Sequence, residues 1–305
     1  MRILTAVITL AMSSLSFAHE YMSFDELMAA FNTDFEATEI QSQEIGDELY
    51  FLRGAGGNVV ASIGEQGVLI VDSQYAPMVP KIRDTIRGLG GGAIDFAINT
   101  HWHFDHTGGN PTLGRDGTWF VAHTNSRRMM AGRHPIDLVS FAYEQLPSDA
   151  AAMPVMTFDD DMQMHFNGET MELMHFGPAH TTGDTAVYFR SSDVVHMGDV
   201  FNASYPFIDA GNGGDLDGMI LFCESVLARL NENSVVVPGH GPLLGYAELA
   251  ESIAMLETTR NRISDMIDAG MSLEEVLAAH PTAEFHDRYG DPARFVDRAY
   301  TSLSR

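Results

Sequence analysis

Thr100-His101-Trp102-His103-Phe104-Asp105-His106 is the stretch on which the reading of this sequence turns. It follows directly on Ile94–Asn99, which reads as a buried-type strand. In an extended segment alternate residues point the same way, so His101 and His103 can converge on one ion while Asp105 and His106 face a neighbouring position. Imidazole and carboxylate are ligand types that suit zinc, and three protein ligands plus a water make an open, reactive site. The competing explanation is a chance cluster of histidines on a polar loop. Placement at the end of a buried-type strand weighs against it.

Three later residues stand in comparable settings. His180 lies in the loop Gly177-Pro178-Ala179-His180-Thr181-Thr182-Gly183-Asp184 between two predicted strands. Asp199 follows the apolar run Val194–Met197, and His240 follows Val235–Val237 within Pro238-Gly239-His240-Gly241. Each alone reads as an ordinary loop residue; together they supply the ligands that the first motif lacks. The elements around them interleave. Short β-type runs fill Glu48–Leu52, Asn58–Ser62 and Gly67–Val71, and a helix is predicted over Pro80–Leu89. Trp119–Ala122 reads as a strand and Asn125 to about Gln145 as mainly helical. Asn167-Gly168 between Met162–Phe166 and Met171–Phe176 is a strong hairpin signal. Thr185–Phe189 continues the β pattern, and helices are predicted over Asp217–Leu230, over Ala247–Ala269 and from near Ser272. Strand-rich then helical segments thus occur twice, as expected for an α/β protein with two sheets packed together and helices outside.

In these motifs the sequence resembles the metallo-β-lactamase-fold superfamily, from about residue 45 to residue 245. The resemblance implies an αββα sandwich of two mixed β-sheets flanked by helices, with a dinuclear metal site at one edge. It implies a first site of His101, His103 and His180. A second would hold Asp105, His106 and His240, with Asp199 bridging both ions or binding the second. Two zinc ions are the implied cofactor, and iron or manganese could occupy the same ligands. A water activated between two such ions is nucleophilic near neutral pH, and Asp105 would orient it. An acid at the position of Asp72 commonly braces the metal loops in this family, a role carried here to Asp72. His196 and His175 lie in or near strands without the ligand pattern, and His123, His134, His165, His280 and His286 read as structural or exposed.

The resemblance speaks for a hydrolase more clearly than for a substrate. The principal zinc β-lactamases carry cysteine where Asp199 stands; aspartate there is similar to the glyoxalase II-like thioesterases and the lactonases. Ala210-Gly211-Asn212-Gly213-Gly214-Asp215 resembles the β-lactamase loop whose asparagine approaches the lactam carbonyl, making Asn212 a candidate oxyanion donor. Arg53-Gly54-Ala55-Gly56-Gly57 falls where those enzymes carry a flexible flap. The lysine that grips the substrate carboxylate in many of them has no counterpart in Val200-Phe201-Asn202-Ala203. The expectation is therefore a β-lactamase-like enzyme of weak or promiscuous activity that opens a cyclic amide or ester. A lactonase or thioesterase is the alternative. A flavodiiron-like redox protein would need glutamate at His103 and an appended flavodoxin domain, neither of which the sequence shows; a non-catalytic metal-binding protein is the remaining alternative.

Composition narrows the partners. The 305 residues hold 42 Asp and Glu against 17 Lys and Arg, a formal charge of −25, with Lys81 the sole lysine. Such a surface argues against binding nucleic acid, which needs a basic stripe, and against docking on anionic membranes. A small-molecule substrate is expected. Arg2, the apolar run Ile3–Met12 and the small residues Ser16 and Ala18 match an export signal over residues 1–18, too short to span a bilayer. The mature chain, one domain over residues 19–305 with no membrane span, is accordingly expected to be periplasmic or secreted. One cysteine, Cys223, precludes an internal disulfide and reads as a buried thiol.

Overall fold

The computed structural model describes residues 21–305, so the expected export signal lies outside the described residues. Two mixed sheets form the centre. The first has seven strands in the spatial order Met156–Phe158, Trp119–His123, Ile94–Asn99, Gly67–Val71, Val59–Gly64, Leu49–Arg53 and Gln41–Gly46. The second has six, in the order Asp161–Phe166, Glu169–Met174, Ala186–Phe189, Val194–His196, Val235–Val237 and Leu244–Gly245.

Period-two alternation of apolar side chains sets the layers. In Gly67–Val71, Leu69 and Val71 enter the core between the sheets, while Val68 and Ile70 face helix Val79–Gly88. In Ala186–Phe189, Val187 and Phe189 point to that same central core. Ala186 and Tyr188 turn outward, to a second core shared with helices Leu216–Leu227, Tyr246–Asp268 and Ala293–Leu303. Because both faces of these strands are covered, they read as continuous apolar runs rather than as alternating ones. The result is the αββα sandwich of two mixed sheets that the sequence led us to expect. Asn167 and Gly168 both take positive φ (50° and 75°), as a two-residue hairpin turn requires.

One segment departs from expectation. Residues 125–145 are helical only over Thr124–Met130. Beyond it, His134–Asp137 and Ala142–Gln145 form an antiparallel hairpin that pairs with Tyr21–Met22 in a third, small sheet. Pro135 cannot donate the helical hydrogen bond, and Val139 is held at φ 70° in a turn where the Asp137 carboxylate accepts its backbone N–H. Two further strands, Gln41–Gly46 and Met156–Phe158, sit at the edges of the first sheet; the first is polar and largely exposed and the second only three residues long. Cys223 is buried, its thiol directed at the Val200 carbonyl. No described helix is long and apolar enough to cross a membrane.

Strand direction positions the site. Gly67–Val71 and Ile94–Asn99 are parallel, and so are Val194–His196 and Val235–Val237. Two successive antiparallel pairings also leave Glu169–Met174 running parallel to Val194–His196. The carboxyl ends of these strands therefore open on one edge of the sandwich, and the segments that follow them carry Asp72, His101 to His106, His180, Asp199 and His240.

Candidate metal centre

At that edge His101, His103 and His180 converge, and beside them Asp105, His106, Asp199 and His240 converge; within each group the ligand atoms lie within 4.8 Å of one another. All seven residues that the sequence singles out as ligands are thus brought together. Asp199 stands between the groups: Oδ1 is 3.1 Å from His106 Nε2 and 3.4 Å from His240 Nε2, and Oδ2 is 3.8 Å from His180 Nε2.

Outward hydrogen bonds fix how the rings present themselves. His106 Nδ1–H donates to Asp72 Oδ2 (2.7 Å), His103 Nε2–H to Asp209 Oδ2 (2.9 Å) and His180 Nδ1–H to the Phe207 carbonyl (2.7 Å). His101 Nδ1 lies 3.0 Å from Thr100 Oγ1, whose own hydroxyl donates to Asp72 Oδ2 (2.7 Å). In the first group, His101, His103 and His180 then turn an unprotonated nitrogen inward. His180 Nε2 and His103 Nδ1 come to 2.8 Å of each other, and His101 Nε2 is buried with no hydrogen-bond partner among the described residues. Facing lone pairs and an orphaned buried nitrogen are unfavourable alone and are resolved by a shared cation. The donor set therefore fits divalent metal.

The two halves differ in charge. Burial, aided by the neighbouring His106, holds His101 well below the usual imidazole range, and burial lowers His180 as well. In the second half burial is outweighed. The Asp199 carboxylate, followed by Asp105, pushes His240 up to about 10, and His106 is raised well above its ordinary value by Asp199, Asp105 and Asp72. Conversely, burial would raise Asp105, yet His106 and then His240 bring it down to about 2. Without metal, the second half is a network of imidazolium and carboxylate.

Close backbone approach makes this density of ligands fit. A Cβ on Gly239 would fall 1.9 Å from Asp199 Oδ1, and one on Gly57 would fall 2.2 Å from the His106 ring. Gly57 N–H donates to the Asp105 carbonyl (3.0 Å), and Gly56 and Gly57 are buried. The Arg53–Gly57 segment, expected as a flap, is therefore in its glycine part a floor packed under the metal loops. Asp72, fully buried at φ 65°, accepts from Thr100 N–H (2.8 Å), Thr100 Oγ1 and His106 Nδ1. Three bonds on one carboxylate hold a residue in a conformation that side chains usually avoid.

A family model described as the metallo-beta-lactamase superfamily matches residues 53–240. The chain belongs to the metallo-beta-lactamase superfamily. The fold agrees. A metallo-beta-lactamase from Pontibacter korlensis superposes with a TM-score of 0.58 at 18% identity, covering 72% of this chain and 99% of that one. The stereoselective inverting sec-alkylsulfatase Pisa1 from Pseudomonas sp. superposes at 0.65 with 16% identity, covering 86% of this chain and 50% of that one. In sequence, the alpha subunit of a 2,4-dinitroanisole O-demethylase from Nocardioides sp. (strain JS1661) is 28% identical over 141 residues. That match takes in 45% of this chain and 38% of the relative's length.

Superfamily membership supports metal-dependent hydrolysis and leaves open which residues surround the substrate. Asn212 does not meet the expectation of an oxyanion donor. Its amide donates to the Pro135 carbonyl (2.7 Å) and to both oxygens of Asp209 (2.9 Å), and it does not line the cavity above the metal cluster. Asp209 in turn accepts from His103, so Asn212 is joined to the site only through that carboxylate. Asp209 was not legible in the sequence, because one aspartate beside a glycine-rich turn carries no ligand pattern. The same holds for Asn202, which accepts the His240 backbone N–H (2.7 Å). His196 and His175 use ring nitrogens within the fold, His196 on Asn58 and Gly198 and His175 on Asp184.

Proposed function

We propose that this chain is a hydrolase that holds two divalent ions, zinc in the first instance, and opens a cyclic amide or ester. His101, His103 and His180 would hold one ion, Asp105, His106 and His240 the other, and Asp199 would reach both. The observation that carries this reading is the position of Asp199 between two converging ligand groups, 3.1 Å from His106 Nε2 on one side and 3.8 Å from His180 Nε2 on the other. When bound, such a pair of ions lowers the pKa of water and polarises a carbonyl. Asp105 opens on the cavity and can orient the attacking water and accept its proton. Asp72, Asp209 and the Phe207 carbonyl keep the imidazoles in the tautomers that ligation needs.

For β-lactams we propose weak or promiscuous turnover. Asn212 is engaged elsewhere, and no lysine follows Asp199. Lactone or thioester cleavage is the second reading, favoured by a carboxylate rather than a thiolate at residue 199. The deciding experiment uses one zinc-loaded preparation with a chromogenic cephalosporin, a homoserine lactone and a glutathione thioester. Activity on at least one, abolished by a chelator and restored by metal, is expected. Chelator-insensitive activity, or none on any of the three, contradicts the proposal. We place the protein in the periplasm or outside the cell, from its leader-like N-terminus; cell fractionation tests that.

A further inference from the structure

The cavity above the metal cluster, about 340 Å³, is lined by Asp105, Asp199, His180 and His240 at one end and by apolar side chains including Phe31, Ile136 and Phe207 along its walls. Among its lining residues there is one lysine or arginine, Arg294, contributed by helix Ala293–Leu303 far beyond the segment matched by the family. Arg294 is half-buried and, among the described residues, makes neither an ion pair nor a hydrogen bond. Its guanidinium lies over the Phe141 ring, 5.8 Å from the centroid. A cation–π contact of that kind occupies none of the N–H groups, which stay free to donate. Ser204, exposed and likewise without a hydrogen bond, lines the same wall. A second cavity of about 490 Å³ shares Ser204, Tyr205, Phe207 and Arg294 with the first, so the guanidinium sits where the two meet.

A half-buried arginine without a partner is costly in a chain of formal charge −25, where carboxylates are abundant. Asp291 favours its charge from nearby but forms no ion pair with it. We infer that Arg294 is the anchor for an organic carboxylate, so that the substrate is an anion with an apolar body whose scissile bond lies toward the metals. The fork of a guanidinium matches a carboxylate with two parallel hydrogen bonds. It would supply, from a different element, the cation that is missing after Asp199. This inference rests on the cavity being the substrate site of the proposed hydrolase.

Binding tests it apart from turnover. Metal-loaded protein is titrated calorimetrically with 4-phenylbutyrate and with its neutral amide, in wild type, Arg294→Met and Arg294→Lys. In wild type the carboxylate should bind more tightly than the amide. Arg294→Met should weaken the carboxylate about 10- to 100-fold and leave the amide nearly unchanged, the range for losing a hydrogen-bonded charge partner. Arg294→Lys should restore part of the loss. A carboxylate preference that survives in Arg294→Met would place the anion on the metals and overturn the inference. Equal weakening of both probes, or no binding of either, would also overturn it. Intact, Arg294-dependent binding without hydrolysis of any ester or amide would instead sink the hydrolase reading alone.

Discussion

Asp72→Asn is the substitution whose consequences the structure specifies most fully. Asp72 Oδ1 accepts the Thr100 backbone N–H, which cannot reverse its role, so the asparagine oxygen must go there. The new NH2 group then faces His106 Nδ1 and Thr100 Oγ1, where the carboxylate accepted two protons. His106 must move its proton to Nε2, the nitrogen that faces Asp199 and His240. Thr100 Oγ1, now an acceptor from residue 72, donates to His101 Nδ1 and drives that ring to the same wrong tautomer. One substitution thus miswires a ligand in each half of the site. Losing a hydrogen bond to a charged group costs about 1.5–3 kcal/mol, and replacing a partner of a metal-binding histidine typically costs 10–100-fold in affinity. Competition titration with a chromophoric chelator should show both ions weakened by about 10–100-fold, whereas Thr100→Val, which keeps the His106 bond, should weaken chiefly the ion held by His101. Wild-type affinity for both ions in Asp72→Asn, with the fold intact, would refute the tautomer argument.

Four other outcomes follow from the same geometry. Asp105→Asn should lower kcat about 10²- to 10⁴-fold in steady-state assays, the usual worth of a positioned base, and near-normal turnover would remove that role. Asn212→Ala should cost only a few-fold in kcat, since the amide acts through Asp209; a loss of about 10²- to 10³-fold would restore it as an oxyanion donor. In the metal-free protein His240 is raised from its ordinary value to about 10, so its pairing with Asp199 and Asp105 stabilises the fold fully below about pH 6.5 and fades as pH rises through 10. Thermal melts in chelator should therefore show lower stability at pH 10 than at pH 6. Metal loading at pH 7, which must displace the protons on His240 and His106, should release about two protons per chain in calorimetry across buffers.

Much of the fold was legible because its central strands are buried on both faces. Gly67–Val71 and Val235–Val237 announce themselves as apolar runs, and Ile94–Asn99 as a mostly apolar one, with the same bounds that the structure gives them. Edge strands such as Gln41–Gly46, largely exposed, carry no such signal. In residues 125–145 a real helical turn runs into apolar residues that keep a helical spacing, and Pro135 was the clue against continuing it. At the site, ligands were legible because strand ends display them in short motifs. The residues that orient them were not: the Phe207 carbonyl belongs to the backbone, Asp209 lies 106 residues from the histidine it holds, and Arg294 comes from a helix with no motif. Such contacts are created by chain crossing and leave no local pattern.

The proposed function requires that the two ligand groups joined by Asp199 hold two metal ions. Elemental analysis of the protein loaded with zinc and freed of excess by gel filtration tests it most directly. About two ions per chain are expected, falling to about one in His240→Ala with the first site retained. A wild-type stoichiometry of one, or none, would contradict it.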